Sequence, residues 1–291
     1  MSRGEDGFVL PAVIVVLVVV AGAAALATQR LQTQTKSTAA RLDGLRVQGL
    51  VDGVARLVAV SLLNERVRGL PGLGLPENGG AVTCPLPGGG AIRIAVQDQA
   101  GLIDLNASPR PLLEDAFRAL GLPDTDAATI AAEIVDDRDP DETPEPMGGA
   151  EAPQYRARGL PYGPRNAPFD AIDELDRLPS MTPALATILR PAVTVLNPGG
   201  GIDPALNAAL TARGGTASEG LRQYTARSGH KFYGLRVVAE TATGARSGRF
   251  ALLSLDGRAG RGFLTWRSST AAIPDGPPHP ACALIALVTG E

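Results

Sequence analysis

An almost unbroken run of apolar residues opens the chain, from Phe8 to Leu26, and the first charge after it is Arg30. Twenty helical residues rise about 1.5 Å each and span roughly 30 Å, the hydrocarbon thickness of a bilayer. Beyond this run, leucine and valine recur at steps of three and four as far as Asn64. The pattern predicts one long helix, apolar on all sides in its first half and amphipathic in its second.

The remaining residues alternate between strand-like and helix-like patterns. Strands are predicted at 81–84, 91–96, 101–105, 192–196, 231–240, 246–255, 262–267 and 281–288, and helical stripes fill the stretch between 106 and 191. We therefore expect an α+β fold, with a long N-terminal helix packed on an antiparallel sheet and a large all-α domain inserted between strands.

The same pattern divides the chain into parts. A leader peptide is expected at 1–7, and a spine helix at 8–65, of which 8–28 would lie in the membrane. The head is expected to combine 66–105 with 192–291, because strands on either side of an insertion share one sheet. The inserted domain, at 106–191, is predicted as two helical hairpins of the helix-hairpin-helix kind.

Composition narrows the class of function. The net charge is −3 and aromatic residues make up only 4% of the chain, so neither a basic field nor stacking platforms favour nucleic acid. Two histidines and two cysteines exclude a dense His/Cys metal site. Neither His230 nor His279 stands near a nucleophile motif, which argues against an enzyme.

Three interpretations compete for the first apolar run. The segment 25–27 reads Ala-Leu-Ala, the cleavage pattern of a secretory signal, although the leader carries two acidic residues and the run is long for a signal core. A plain membrane anchor is the second. In the third, the chain is cut between Gly7 and Phe8, as in type IV prepilins, and the apolar run becomes the N-terminal helix with Pro11 in its first turn.

An acidic cluster follows the second predicted helix. Asp137, Asp139 and Asp141 have the alternating spacing of the first three calcium ligands of an EF-hand, and Glu142 stands beside them. The later EF-hand positions do not match. The cluster is therefore a candidate calcium site, and the alternative is a solvated helix end with Arg138 paired locally.

Two further features are the pair of cysteines and a turn at residues 178–183. Cys84 and Cys282 are predicted in strands on opposite sides of the insertion, and an oxidising periplasm favours a disulfide over two buried thiols. Residues 178–183 resemble a helix-hairpin-helix turn, but Ser180 and Met181 stand where DNA-binding turns carry glycine. We interpret this turn as a structural hairpin.

Four motifs, in order along the chain, resemble one known family. They are GLIDLNASP at 101–109, DDRDPD at 136–141, YRARGLPY at 155–162 and NAPFDAIDEL at 166–175. The chain is identified as a member of the type II secretion minor pseudopilin K family, also named general secretion pathway protein K. The resemblance extends from the leader to about residue 205, with a departure at 201–204, and the tail after about 270 has no clear counterpart.

The resemblance implies a non-enzymatic pilin-like subunit at the tip of a periplasmic pseudopilus, which it caps and helps to initiate for protein export. Its implied partners are minor pseudopilins I and J, other pseudopilins, prepilin peptidase and the inner-membrane secretion platform. It implies a single pass through the inner membrane of a Gram-negative bacterium, a periplasmic C-terminal domain and N-methylated Phe8. Calcium is the one cofactor that the family suggests.

The fifth position after the cleavage site is Ala12, where most pilin-like proteins have glutamate, and family K also lacks this glutamate. A carboxylate there would neutralise the N-terminal amine of a neighbouring subunit among apolar helices. Its absence suggests a subunit that needs no such neighbour. The alternatives are a secreted or anchored periplasmic adhesin or binding protein with a cleaved signal peptide, and a type IV pilus or competence tip pilin.

Overall fold

A computed structural model describes residues 9–214, 219–257 and 260–289. Helix α1 runs from Val9 to Leu63 and continues as one π-helical segment, Asn64–Arg68, which ends at Gly69 in a left-handed conformation. Two windows of this helix are long and apolar enough to cross a membrane. The window Val13–Arg30 buries none of its residues against the protein, whereas 44% of Ala40–Arg68 is buried.

The head is a five-stranded antiparallel sheet in the order β1-β2-β5-β6-β7. Its strands are β1 Asn78–Pro85, β2 Gly90–Asp98, β5 Phe232–Thr241, β6 Arg246–Ser254 and β7 Gly262–Ser268. β2 and β5 are far apart in sequence but adjacent in the sheet, with Asp98 opposite Tyr233. The insertion therefore leaves and re-enters the head at neighbouring points.

The second half of α1 packs across the middle of this sheet. One stripe of the helix is buried against alternate residues of the strands, among them Val51, Val54, Val58, Val237 and Ala251. Each of these side chains is at most 1% exposed. A charged pair also joins the two layers, because Arg249 of β6 reaches Asp52 of α1 at 2.6 Å. Apolar burial of this extent is the main force that holds a helix on a sheet.

The insertion is built from short helices. They are α2 Arg110–Ala119, α3 Asp124–Arg138, α4 Ala152–Ala157, α5 Pro183–Leu189, α6 Ala208–Ala212 and α7 Glu219–Arg222. A pair of two-residue parallel strands, β3 Ile103–Asp104 and β4 Val193–Thr194, lies at its base. Its apolar core is separate from that of the head and includes Ile202, Leu210 and Leu221. Ala192, Val193, Ile202, Leu210 and Leu221, expected in the head, thus pack within the insertion.

Two buried polar residues hold the base of the insertion. The Asp104 carboxylate accepts hydrogen bonds from the backbone N–H groups of Asn106, Ala107 and Asn197. The Asn197 amide in turn donates to the carbonyl oxygens of Leu102 and Gly201. Burial raises the pKa of Asp104, and these N–H donors act against that rise. The network fixes the chain at the point where the insertion begins.

The sequence prediction fails in three places. Residues 281–288, predicted as a strand, lie in helix α8, Ala281–Thr289, which packs on α1 and β1. A short, continuously apolar run has no periodicity that separates a strand from a buried helix. Two differences lie within 106–191, predicted as two helical hairpins: Ile172–Arg177 is only a 3₁₀ segment, and the short helix α4 lies between α3 and this segment.

A disulfide joins Cys84 of β1 to Cys282 of α8, across 198 residues of sequence. The bond therefore ties the C-terminal helix to the edge strand of the head. The pairing agrees with the expectation from sequence, although Cys282 lies in a helix rather than in a strand.

Replacing Cys84 and Cys282 by serine is expected to lower the free energy of unfolding by about 2–4 kcal/mol, because the bond closes a long loop in the unfolded chain. Urea denaturation of the full-length protein in detergent measures the loss. A reductant should lower the midpoint of the natural protein and leave that of the double variant unchanged. An equal effect of reductant on both proteins would contradict this origin of the stability.

Candidate functional site

The loop between α3 and α4, residues 139–151, folds around a carboxylate at the end of α3. Asp136 is fully buried and accepts hydrogen bonds from the backbone N–H groups of Glu145, at 3.0 Å, and Ala150, at 2.6 Å. The loop passes so close that a Cβ at Gly149 would lie 2.4 Å from the same carboxylate. Burial, only partly offset by these bonds, raises the pKa of Asp136 to about 6.

Three more carboxylates converge on one point beside this loop. Oxygen atoms of Asp139, Asp141 and Glu151 all lie within 4.8 Å of one another. Glu151 is only 2% exposed, and two oxygens of the group, Asp139 Oδ1 and Glu151 Oε1, are buried without a hydrogen-bond donor. Buried polar atoms without partners are uncommon in native proteins and call for an explanation.

The electrostatic repulsion among these carboxylates also favours a bound cation. Burial first, and then repulsion from Asp136, Asp139 and Asp141, raises the pKa of Glu151 to about 7. Burial, and then Asp141, also raises the pKa of Asp139. A cation placed among these oxygens would remove the repulsion and supply the missing partners. Hard divalent cations such as Ca²⁺ prefer this all-oxygen ligand set.

The structure brings together only part of the predicted cluster. Asp139 and Asp141 belong to the convergent group, but Asp137 is 3% exposed and accepts hydrogen bonds from the Arg165 backbone N–H, at 3.1 Å, and from Tyr155. Glu142 is exposed and lies outside the group. Glu151 is the residue that sequence reasoning missed, because it lies ten residues beyond Asp141, outside any spacing pattern.

The other sites predicted from sequence are the cleavage site, Ala12 and the helix-hairpin-helix-like turn. Gly7 and Phe8 lie outside the described residues, and Ala12 lies in α1. The helix-hairpin-helix-like turn is occupied internally, since Glu133, fully buried, accepts hydrogen bonds from both the backbone N–H and the hydroxyl of Ser180. An amide used in this way cannot approach a phosphate, which supports the interpretation of this turn as structural.

The central region of the chain is similar to a known protein family. The family model of type II secretion system protein K matches residues 95–198, which include the base of the insertion and all three convergent carboxylates. This part of the chain is similar to the protein K family. None of the curated proteins matches the chain.

The fold has a counterpart among solved structures. A chain of the crystal structure of the GspK–GspI–GspJ complex, from the type 2 secretion system of enterotoxigenic Escherichia coli, is similar with a TM-score of 0.54 and 19% identity. The similarity covers 82% of this chain and all of that one. Together with the family-model match at 95–198, it confirms the resemblance drawn from the motifs, the predicted α+β fold and a minor pseudopilin role in type II secretion.

In the absence of a bound cation, the convergent carboxylates should make stability depend on pH. Because the folded-state pKa of Glu151 is about 7 against an ordinary 4.5, its contribution is full below about pH 4.5 and is lost as pH rises through 7. We expect Glu151→Gln to flatten the fall in unfolding free energy between pH 5 and 8 by about 2 kcal/mol in EDTA. Glu240→Gln, an exposed change on β5, is the control. A Glu151→Gln protein with the full natural slope would contradict the assignment.

Proposed function

We propose that this minor pseudopilin stands at the tip of the type II secretion pseudopilus, caps it and helps to initiate its assembly. The observation that carries the proposal is the insertion, similar to protein K over residues 95–198, between two adjacent strands of a head that rests on a long helix. A further subunit can add above this one only if its spine helix has free space above the head. An insertion of this size at the head's edge would obstruct that space.

The proposed anchoring follows from the two halves of α1. The window Val13–Arg30 is exposed along its whole length and carries no charge before Arg30, so it suits the inner membrane before assembly and a packed filament afterwards. The sheet covers the second half, which supports a head directly beyond the membrane, in the periplasm. The solved complex with GspI and GspJ supports the corresponding pseudopilins as partners at the tip. Other pseudopilins, prepilin peptidase and the inner-membrane platform remain part of the proposal.

The proposal assigns the protein a structural role in the secretion machinery and no catalytic one. A signal-cleaved adhesin is the competing function, and the mature N-terminus separates the two. We expect N-terminal sequencing or mass spectrometry of the protein from membranes to begin at Phe8, with one added methyl group. A mature chain that begins at Thr28 would contradict the pseudopilin proposal.

Removal of the insertion tests capping. Because Asp98 and Tyr233 pair across β2 and β5, residues 99–232 can be replaced by an Asn-Gly turn that joins the two strands as a hairpin. The head has its own apolar core, so it should fold, and pseudopili formed with excess major pseudopilin should be longer. Electron microscopy measures the lengths, and immunoblots confirm equal amounts of both proteins in membranes. An unchanged length distribution would contradict the capping function.

We further propose that the convergent carboxylates bind calcium and so fix the loop between α3 and α4. Calcium should raise the melting temperature of the protein by several degrees, as any ligand selective for the folded state does. Glu151→Gln is expected to abolish this rise. The matched variant Glu142→Gln changes a neighbouring carboxylate outside the group and should retain it. If Glu142→Gln abolished the rise and Glu151→Gln retained it, calcium would instead be bound by the ligand set expected from sequence spacing.

A further inference from the structure

A second group of ionisable side chains lies away from the acidic loop, where the insertion leaves and re-enters the head. It consists of Glu77 before β1, Asp98 at the end of β2 and His230 before β5. Glu77 is 8% exposed and Asp98 is fully buried, whereas the His230 side chain remains 34% exposed. Two of the three side chains are therefore buried, and the third is partly exposed to solvent.

The distances within this group suit a tetrahedral metal ion. His230 Nδ1 lies 2.8 Å from Asp98 Oδ2 and 3.3 Å from Glu77 Oε2. Zinc binds nitrogen and carboxylate oxygen at about 2.0–2.1 Å in tetrahedral geometry, which separates the ligand atoms by roughly 3.3 Å. Two carboxylate oxygens and one imidazole nitrogen are thus placed almost as an ion would require.

Surrounding groups orient each ligand toward the same point. Arg66 donates to Glu77 Oε1 at 2.6 Å, and the backbone N–H of Ala100 donates to Asp98 Oδ1 at 3.0 Å. These contacts leave Glu77 Oε2 and Asp98 Oδ2 to face the imidazole. Outer contacts of this kind fix first ligands in protein metal sites. Ser228 also donates to Asp98 Oδ2, at 2.6 Å, and would have to turn its hydroxyl or share that oxygen.

The charges of the group also favour a cation. Among the described residues, the Arg66 guanidinium pairs with Glu77, so the two buried carboxylates have one cationic partner of fixed charge and a bound cation would balance the second. Tyr233 adds a phenol 3.2 Å from both Glu77 Oε2 and His230 Nδ1. Burial, and then Glu77 and Asp98, raises the pKa of Tyr233, so it stays a neutral donor and adds no charge.

We propose that Glu77, Asp98 and His230 bind one zinc ion, with water at the open fourth position. The imidazole separates this site from the all-oxygen group of the acidic loop, since nitrogen ligands suit zinc and oxygen ligands suit calcium. The ion replaces the proton of His230 Nδ1 and links three segments that are far apart in sequence. It therefore clamps the junction between the head and the insertion.

The chain offers a matched control, because His279 is its only other histidine. His279 Nδ1 accepts a hydrogen bond from the backbone N–H of Ala281, far along the chain from the proposed site. Untagged full-length protein in detergent, stripped with EDTA, is titrated with zinc by calorimetry. We expect one ion with a submicromolar dissociation constant, at least a 100-fold loss in His230→Gln, and no change in His279→Gln. A millimolar excess of calcium should not displace the zinc.

A second measurement needs no variant, and so holds if His230→Gln fails to fold. Nitrogen-15 NMR of histidine-labelled protein resolves two imidazoles, and zinc should shift the Nδ1 resonance of one by tens of parts per million. The site is refuted if neither resonance shifts at one equivalent of zinc, or if His230→Gln folds and binds zinc as tightly as the natural protein. A purely hydrogen-bonded cluster gives both of these results.

Discussion

The packing of the second half of α1 on β5 and β6 is the constraint on which the rest of this molecule depends. The buried valines of the helix occupy one stripe, and the alternate residues of the strands that they meet are equally buried. Because the buried stripe belongs to the same helix as the exposed apolar window Val13–Arg30, one helix connects that window to the head without an intervening loop. In the proposed membrane or filament setting, this helix therefore sets the orientation of the head.

The same packing lets the head accept a large insertion. The sheet face that contacts α1 is complete without it, since no described residue of the head core belongs to the insertion. The chain enters and leaves the insertion at the adjacent ends of β2 and β5, and Asp104 and Asn197 satisfy the backbone groups at its base. The head and the insertion thus have separate apolar cores joined by a polar base.

Much of this architecture could be predicted because the spacing of apolar residues reveals the local secondary structure. The spine, the β5–β6 hairpin and the first two helices of the insertion each carry a clear period of two or 3.6. The incorrect predictions fall where contacts between residues far apart in sequence determine the local structure. Helix α8 is too short and too uniformly apolar to show a period, and β3 pairs with β4 only because the insertion folds back. Glu151 joins Asp139 and Asp141 through the shape of a loop, and Asp137 leaves them because a buried tyrosine reaches it.

The disulfide has a mechanical consequence. In the proposed filament, a pull between the spine and the C-terminal helix would pass directly across the sulfur bridge, because Cys84 follows the spine and Cys282 holds the C-terminal helix against it. Every residue between the cysteines lies in a covalent loop outside such a line of tension. The insertion would therefore carry none of this load.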